Sequence, residues 1–146
     1  MNLKILSEGK GLSIGIGGKA KIVLEDDQYV IYDYSGYNLN VPEHMNSENV
    51  RDGFITIQKN CFVEPDIHEK VKKWPSGRKE LISKRVHVQV PFDEFFSQGF
   101  IKVENCRHCW EKRDDGVDVI AMHILFKIFD DYQESGKIPE WINYFV

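Results

Sequence analysis

Asp118-Val119-Ile120-Ala121-Met122-His123-Ile124-Leu125-Phe126-Lys127-Ile128-Phe129-Asp130-Asp131-Tyr132-Gln133-Glu134-Ser135-Gly136 is the stretch whose period decides the fold. On a wheel of 3.6 residues per turn, Ile120, Ile124, Ile128 and Tyr132 share one side with Leu125 and Phe129, while His123, Lys127, Asp130, Asp131 and Glu134 lie opposite. A helix with one broad apolar side must cover something, and the remainder of the chain offers a sheet. Gly136 ends the helix. Ile138 to Val146 is aromatic enough to pack back as a terminal strand or docked tail.

Upstream, the pattern is that of strands and tight turns. Ile14 and Ile16 sit among glycines, Ala20 to Leu24 follows, Glu25-Asp26-Asp27-Gln28 makes a turn, and Tyr29 to Tyr34 returns. Ser35 to Gly53 has neither period and reads as a long surface loop. Phe54 to Ile57 resumes a strand. Glu64-Pro65-Asp66 then opens a short helix, with proline in the first turn and acids at the positive end of the dipole, and Ile67, Val71 and Trp74 on one face. Trp74-Pro75-Ser76-Gly77 stops it. Val86, Val88 and Val90 alternate with His87 and Gln89 as in a half-buried strand. Pro91 to Gln98 reads as a second short helix and Phe100 to Glu104 as a strand. The expected fold is α+β: an antiparallel β-sheet covered by one long C-terminal helix, with two short helices, in a single domain over residues 1–146.

Composition agrees with a chain that folds alone, since 42% hydrophobic and 29% charged residues are ordinary for a globular domain and too apolar for a disordered one. Met1 to Leu6 is followed at once by Ser7-Glu8-Gly9-Lys10, too short an apolar stretch for a signal-peptide core or a membrane span. With three cysteines, an odd number, a disulfide framework is not expected either. These readings place the protein in the cytoplasm, with reduced thiols and no membrane partner.

A net charge of −4 argues against long nucleic acid as a partner. The charge is uneven, however. Residues 64 to 87 carry Lys70, Lys72, Lys73, Arg78, Lys79, Lys84 and Arg85 against Glu64, Asp66, Glu69 and Glu80, whereas residues 111 to 146 hold twice as many acids as bases. Any anionic partner would meet the middle segment. There, Trp74, Ser76, Arg78 and Lys79 form a Gly-containing turn that can offer backbone N–H groups, a guanidinium fork and a stacking ring to a phosphate or carboxylate. The bland reading is a solvated basic face.

Cys106-Arg107-His108-Cys109 is the sharpest local motif, because Cys106 and Cys109 can bind one tetrahedral metal from a single turn, with zinc as the candidate cofactor. It is half a site, and Cys61 and His123 would have to come from elsewhere in the fold. The same pair fits a redox dithiol, though outside a thioredoxin setting, or two small residues shaping a hairpin. Gly15-Ile16-Gly17-Gly18-Lys19-Ala20 fails the phosphate-loop pattern at Ser13 and Ala20, which leaves glycines that permit positive φ in a turn or bulge. Tyr29, Tyr32, Tyr34 and Tyr37 occupy both faces of one strand, so one set is left to meet a partner; Tyr34 and Tyr37 beside the Ser35-Gly36 turn are the candidates. No local nucleophile motif is present.

Asp52 to Phe62, Glu64 to Lys79 and Glu104 to Trp110 resemble a family of small bacterial hypothetical proteins to which no activity is attached. The resemblance covers the central half of the chain, implies a bacterial or phage origin, and transfers no site residue. The functional expectation is a non-catalytic binding protein that sequesters or inhibits a partner, as immunity proteins and phage-encoded inhibitors do. Two alternatives stay open: an enzyme or sensor acting on a small anionic or nucleotide-like ligand, and a metal-stapled structural domain.

Overall fold

The computed structural model describes residues 15–146, so the readings that rest on Met1 to Lys10 and on Ile14 lie outside the described residues. The chain runs β1 (Ile16–Glu25), β2 (Tyr29–Asn38), β3 (Gly53–Gln58), β4 (Asp66–Lys73), β5 (Lys79–Val86), α1 (Phe92–Ser97), β6 (Ile101–Glu104), α2 (Val119–Ser135) and β7 (Trp141–Phe145). Single 3₁₀ turns occupy Pro42–His44 and Lys59–Cys61. Among the described residues, five strands form one antiparallel sheet in the order β6-β3-β2-β1-β7, while β4 and β5 pair only with each other.

The β1–β2 hairpin is set by its turn. The Asp26 carboxylate accepts the backbone N–H of Gln28 at 2.8 Å and of Tyr29 at 2.7 Å, which closes the corner and aligns the two ten-residue strands. An extra residue at Val23 shifts the register between Ile22 and Leu24, a β-bulge near the turn. Every second residue faces α2: Ala20 lies between Tyr34 and Ile142, Tyr32 opposite Ile55, and Val30 opposite Ile57. All seven are buried to 1% exposure or less.

Helix α2 supplies the other half of the core through Ile120, Ile124, Leu125, Ile128 and Phe129, all buried. Each such side chain contributes about 1.5–3 kcal/mol relative to leaving it in water. Its start is fixed by Asp118, whose carboxylate accepts the Ile120 N–H at 2.9 Å, and its end by Gly136 at φ 77. Glycine also lets the layers approach: a Cβ on Gly18 would lie 2.2 Å from the Ser35 carbonyl oxygen and 2.8 Å from Ile120. Close approach, rather than a turn, explains Gly17 and Gly18, and of the three only Gly15 has positive φ.

The α+β class, the antiparallel sheet and the long covering helix match the sequence expectation. Of the two short helices expected, only Phe92–Ser97 is present among the described residues. The other, expected from Glu64 to Trp74, is the strand β4. Ile67 and Val71 are four residues apart, an even spacing that keeps them on one face of a strand as well as of a helix, so they could not discriminate. Trp74-Pro75-Ser76-Gly77 is a hairpin turn instead of a helix stop. Likewise, only Val86 of the expected Val86-to-Val90 strand is in β-structure. Val88 is paired by a side chain: the Gln133 amide accepts its N–H at 2.7 Å and donates to its carbonyl at 3.1 Å. The expected loop from Ser35 is shorter, because β2 continues to Asn38.

Candidate protein interface

The β4–β5 hairpin stands off the body as an arm. All of β4 and the first six residues of β5 are exposed, although eight cross-strand pairs connect them. At 3.3 Å per residue its strands reach roughly 26 Å from the root. Directly paired residues share a face, so the register divides the arm in two. One face presents Ile67, Val71 and Leu81, with Val71 directly opposite Leu81, at 53%, 56% and 62% exposure. The other presents His68, Lys70, Lys72 and Lys84 together with Ile82 and with Glu80, which lies opposite Lys72.

The tip follows from its residues. Gly77 N–H donates to the Trp74 carbonyl at 2.9 Å and Trp74 N–H to the Arg78 carbonyl at 2.8 Å, closing a three-residue loop in which Gly77 sits at φ 86. No atom lies within 4 Å of where a Gly77 Cβ would be, so backbone conformation rather than space calls for glycine. The Trp74 ring has Lys72 Nζ at 4.1 Å and Arg78 Cζ at 5.3 Å from its centre, and its N–H donates to Glu80 at 3.2 Å. Lys79 belongs to the opposite face, across from Lys73. Trp74, Ser76, Arg78 and Lys79 are therefore gathered at one tip, but Arg78 and Lys79 do not converge on one ligand position.

The arm's charge is unbalanced. From Asp66 to Val86 it carries seven Lys and Arg against three Asp and Glu, hence +4; with the chain at −4, everything else totals −8. Lys73 faces Lys79 directly across the ladder, whereas Lys72 faces Glu80. Like charges placed as Lys73 and Lys79 are destabilise a hairpin. Among the described residues, no carboxylate is within ion-pair distance of any of the five arm lysines.

The root, in contrast, is fastened. Arg85 Nε donates to the Gln133 carbonyl at 2.7 Å, at the negative end of α2, and its guanidinium lies 4.0 Å from Glu64. The Tyr132 hydroxyl donates to Glu64 at 2.5 Å, and His87 lies 2.9 Å from Glu134. Beside this root runs a groove between α2 and residues 88–94, two adjoining depressions of about 450 and 480 Å³ that share Gln89, Val90, Phe92 and Phe126. Asp93, Glu94 and Asp130 stand on its walls, and its one cation, Arg113, is already paired with Asp93 at 3.4 Å and Asp115 at 3.2 Å. A separate depression of about 350 Å³ lies between the loop around Pro42 to Val50 and Arg107-His108.

The remaining sequence candidates are part of the body. Tyr34 is fully buried, a correction to its expected outward role: its parity matches Ala20 and Tyr32, so it faces α2. Its hydroxyl donates to Asp118 at 2.7 Å and accepts the Cys106 N–H at 2.9 Å. Tyr37 is only half-buried. Cys106 Sγ donates to the same Asp118 oxygen at 3.5 Å, whereas the half-buried Cys109 Sγ donates to the Glu111 carbonyl at 3.6 Å. Burial, reinforced by the Asp118 carboxylate, pushes Cys106 up to about 12 and Cys109 up to about 11. Redox exchange needs a thiolate, so this setting works against it. His123 stacks on Tyr144 at 4.7 Å while the buried Cys61 donates to Asn60, and among the described residues no group of three His, Cys, Asp or Glu is placed to hold a metal. Burial also holds the Cys61 thiol near 11.

The basic tip is legible in the residues, whereas the arm's two faces come only with its register. The available signal was a pair of eight-residue runs, 66–73 and 79–86, flanking a Pro-Ser-Gly turn. Comparison of the chain with protein-family models, with curated proteins and with solved structures gives no match.

Proposed function

We propose that this chain is a non-catalytic binding protein that captures an acidic partner protein with the β4–β5 arm and so sequesters it. The observation that carries the reading is the arm's +4 charge, with Lys73 set opposite Lys79 on an exposed ladder and, among the described residues, no carboxylate within ion-pair distance of an arm lysine. Such a pair costs stability in the free protein and is relieved by an opposing acidic surface. The Ile67, Val71 and Leu81 face supplies the apolar centre that protein interfaces have and nucleic-acid contacts need less. The acidic body does not defeat this, because the tip lies several Debye lengths, each about 8 Å at physiological salt, from the root.

A small anionic or nucleotide-like ligand has weaker support, since Arg78 and Lys79 diverge. The zinc-stapled alternative is weaker again, because among the described residues no group of three His, Cys, Asp or Glu is placed to hold a metal.

The test is affinity capture from bacterial lysate with the parent and with Lys72→Glu/Lys84→Glu, both substitutions being on exposed arm positions. Acidic proteins retained by the parent, released by salt, and reduced at least tenfold on the variant are expected. Equal capture by both removes the arm from the function. Retention of duplex DNA by the parent, in place of protein, replaces the partner class.

A further inference from the structure

The groove beside the arm root and the arm itself are complementary. The groove has an apolar floor of Val88, Val90, Phe92 and Phe126, with Asp93, Glu94 and Asp130 above it. The arm has the apolar pair Val71–Leu81, with the cation pair Lys73–Lys79 next along the same face. Within one chain the arm points away and leaves Val71 and Leu81 open. Chain direction adds a constraint: the arm ends at Val86 and the groove begins at Val88, so arm root and groove entrance are two residues apart.

We propose that two copies of this chain form a dimer in which each lays its β4–β5 arm in the other's α2 groove. A two-fold axis next to the root makes the exchange reciprocal, because an arm that leaves one groove entrance can enter the partner's only by travelling in the opposite sense. The contact is then closed, and does not propagate. Val71 and Leu81 meet the Phe92 and Phe126 floor, and Lys73 and Lys79 meet the Asp93 and Glu94 side. Arm-to-arm pairing is opposed by the +4 charge of each arm, which favours the acidic groove as the seat. Taking each arm as roughly 26 Å long and about 10 Å wide, the two contacts together bury on the order of 1,000 Å², the lower bound of a specific interface. The dimer is accordingly concentration-dependent, dissociating in roughly the micromolar range.

This inference uses the same arm as the proposed capture function but does not rest on it. Sedimentation of the full chain between about 1 and 100 µM, a span bracketing micromolar dissociation, is expected to show mass rising toward a dimer. Leu81→Glu on the arm and Phe126→Glu in the groove should each give a monomer with unchanged circular dichroism. In a 1:1 mixture of the two, one intact arm still meets one intact groove, half of the full contact, so association stronger than in either variant alone but weaker than in the parent is expected. Reversal on both sides, Lys73→Glu/Lys79→Glu with Asp93→Lys/Glu94→Lys in one chain, should restore the dimer that the arm pair alone abolishes, which separates lost complementarity from misfolding. A monomer throughout the range overturns the inference, as do open-ended oligomers or a dimer lost on Leu81→Glu yet kept on Phe126→Glu, the pattern of arms meeting each other. The Phe126→Glu monomer has a free arm; its failure to retain acidic lysate proteins would sink the capture reading and leave the dimer standing.

Discussion

The β1–β2 hairpin and the β4–β5 hairpin are built alike and end in opposite states. Both are long antiparallel pairs with tight turns fixed by a short run of polar residues or glycine, and both alternate along their length. In the first, the alternation meets α2, and Ala20, Val30, Tyr32 and Tyr34 vanish from solvent. In the second, Ile67, Val71 and Leu81 stay exposed. An isolated two-stranded hairpin is marginal in water at best, so the arm persists through its eight-pair ladder and its fastened root rather than through a core of its own. The body thus holds the folding free energy, and the arm is available for contact.

This division can be broken by substitution. The largest effect is expected in the body: Phe129→Ala removes a ring stacked on Phe62 at 4.8 Å and set edge-on to Phe92 at 5.1 Å, and should cost about 3–5 kcal/mol in urea unfolding. Next comes alkaline pH. Cys106 is raised in the folded protein from an ordinary 9.0 to about 12, so above pH 9 the unfolded thiol ionises while the folded one keeps its proton. Stability contributed by this group is intact below pH 9 and declines as pH rises toward 12, with a loss on the order of 2 kcal/mol by pH 11. Urea midpoints measured from pH 8 to pH 11 should show that slope in the parent and a shallower one in Cys106→Ala. The smallest effect is expected on the arm. Leu81→Ala should change stability by no more than about 0.5 kcal/mol, and a loss comparable with Phe129→Ala would mean that the arm is packed and the comparison false.

What could be read from the residues follows the same line. The α2 segment was legible because seventeen helical residues hold one period and Gly136 ends it, and the buried strands were legible because their neighbours repeat the alternation. The arm was not, because four-residue spacing at Ile67 and Val71 serves both periods and a lysine-rich strand lacks the apolar alternation that normally marks one. Nor was Tyr34. Tyrosine alternation along β2 fixes which residues share a face but not which face meets a helix eighty-four residues away at Asp118. The Cys106–Cys109 spacing, finally, described a chelating turn without revealing that Asp118 and Tyr34 would enclose one of its thiols.

The facing pair Lys73–Lys79 and the +4 charge of the arm have a consequence for colloidal behaviour as well. A flat ribbon with open edges and Ile, Val and Leu on display is the kind of template on which chains stack into cross-β aggregates. Here every approach of one ribbon to another brings rows of like charge together, so the residues that strain the hairpin also act as gatekeepers for the solution. Because that repulsion is screened by salt, the arm that an acidic surface would welcome becomes, at high ionic strength, the segment that turns the protein cloudy first.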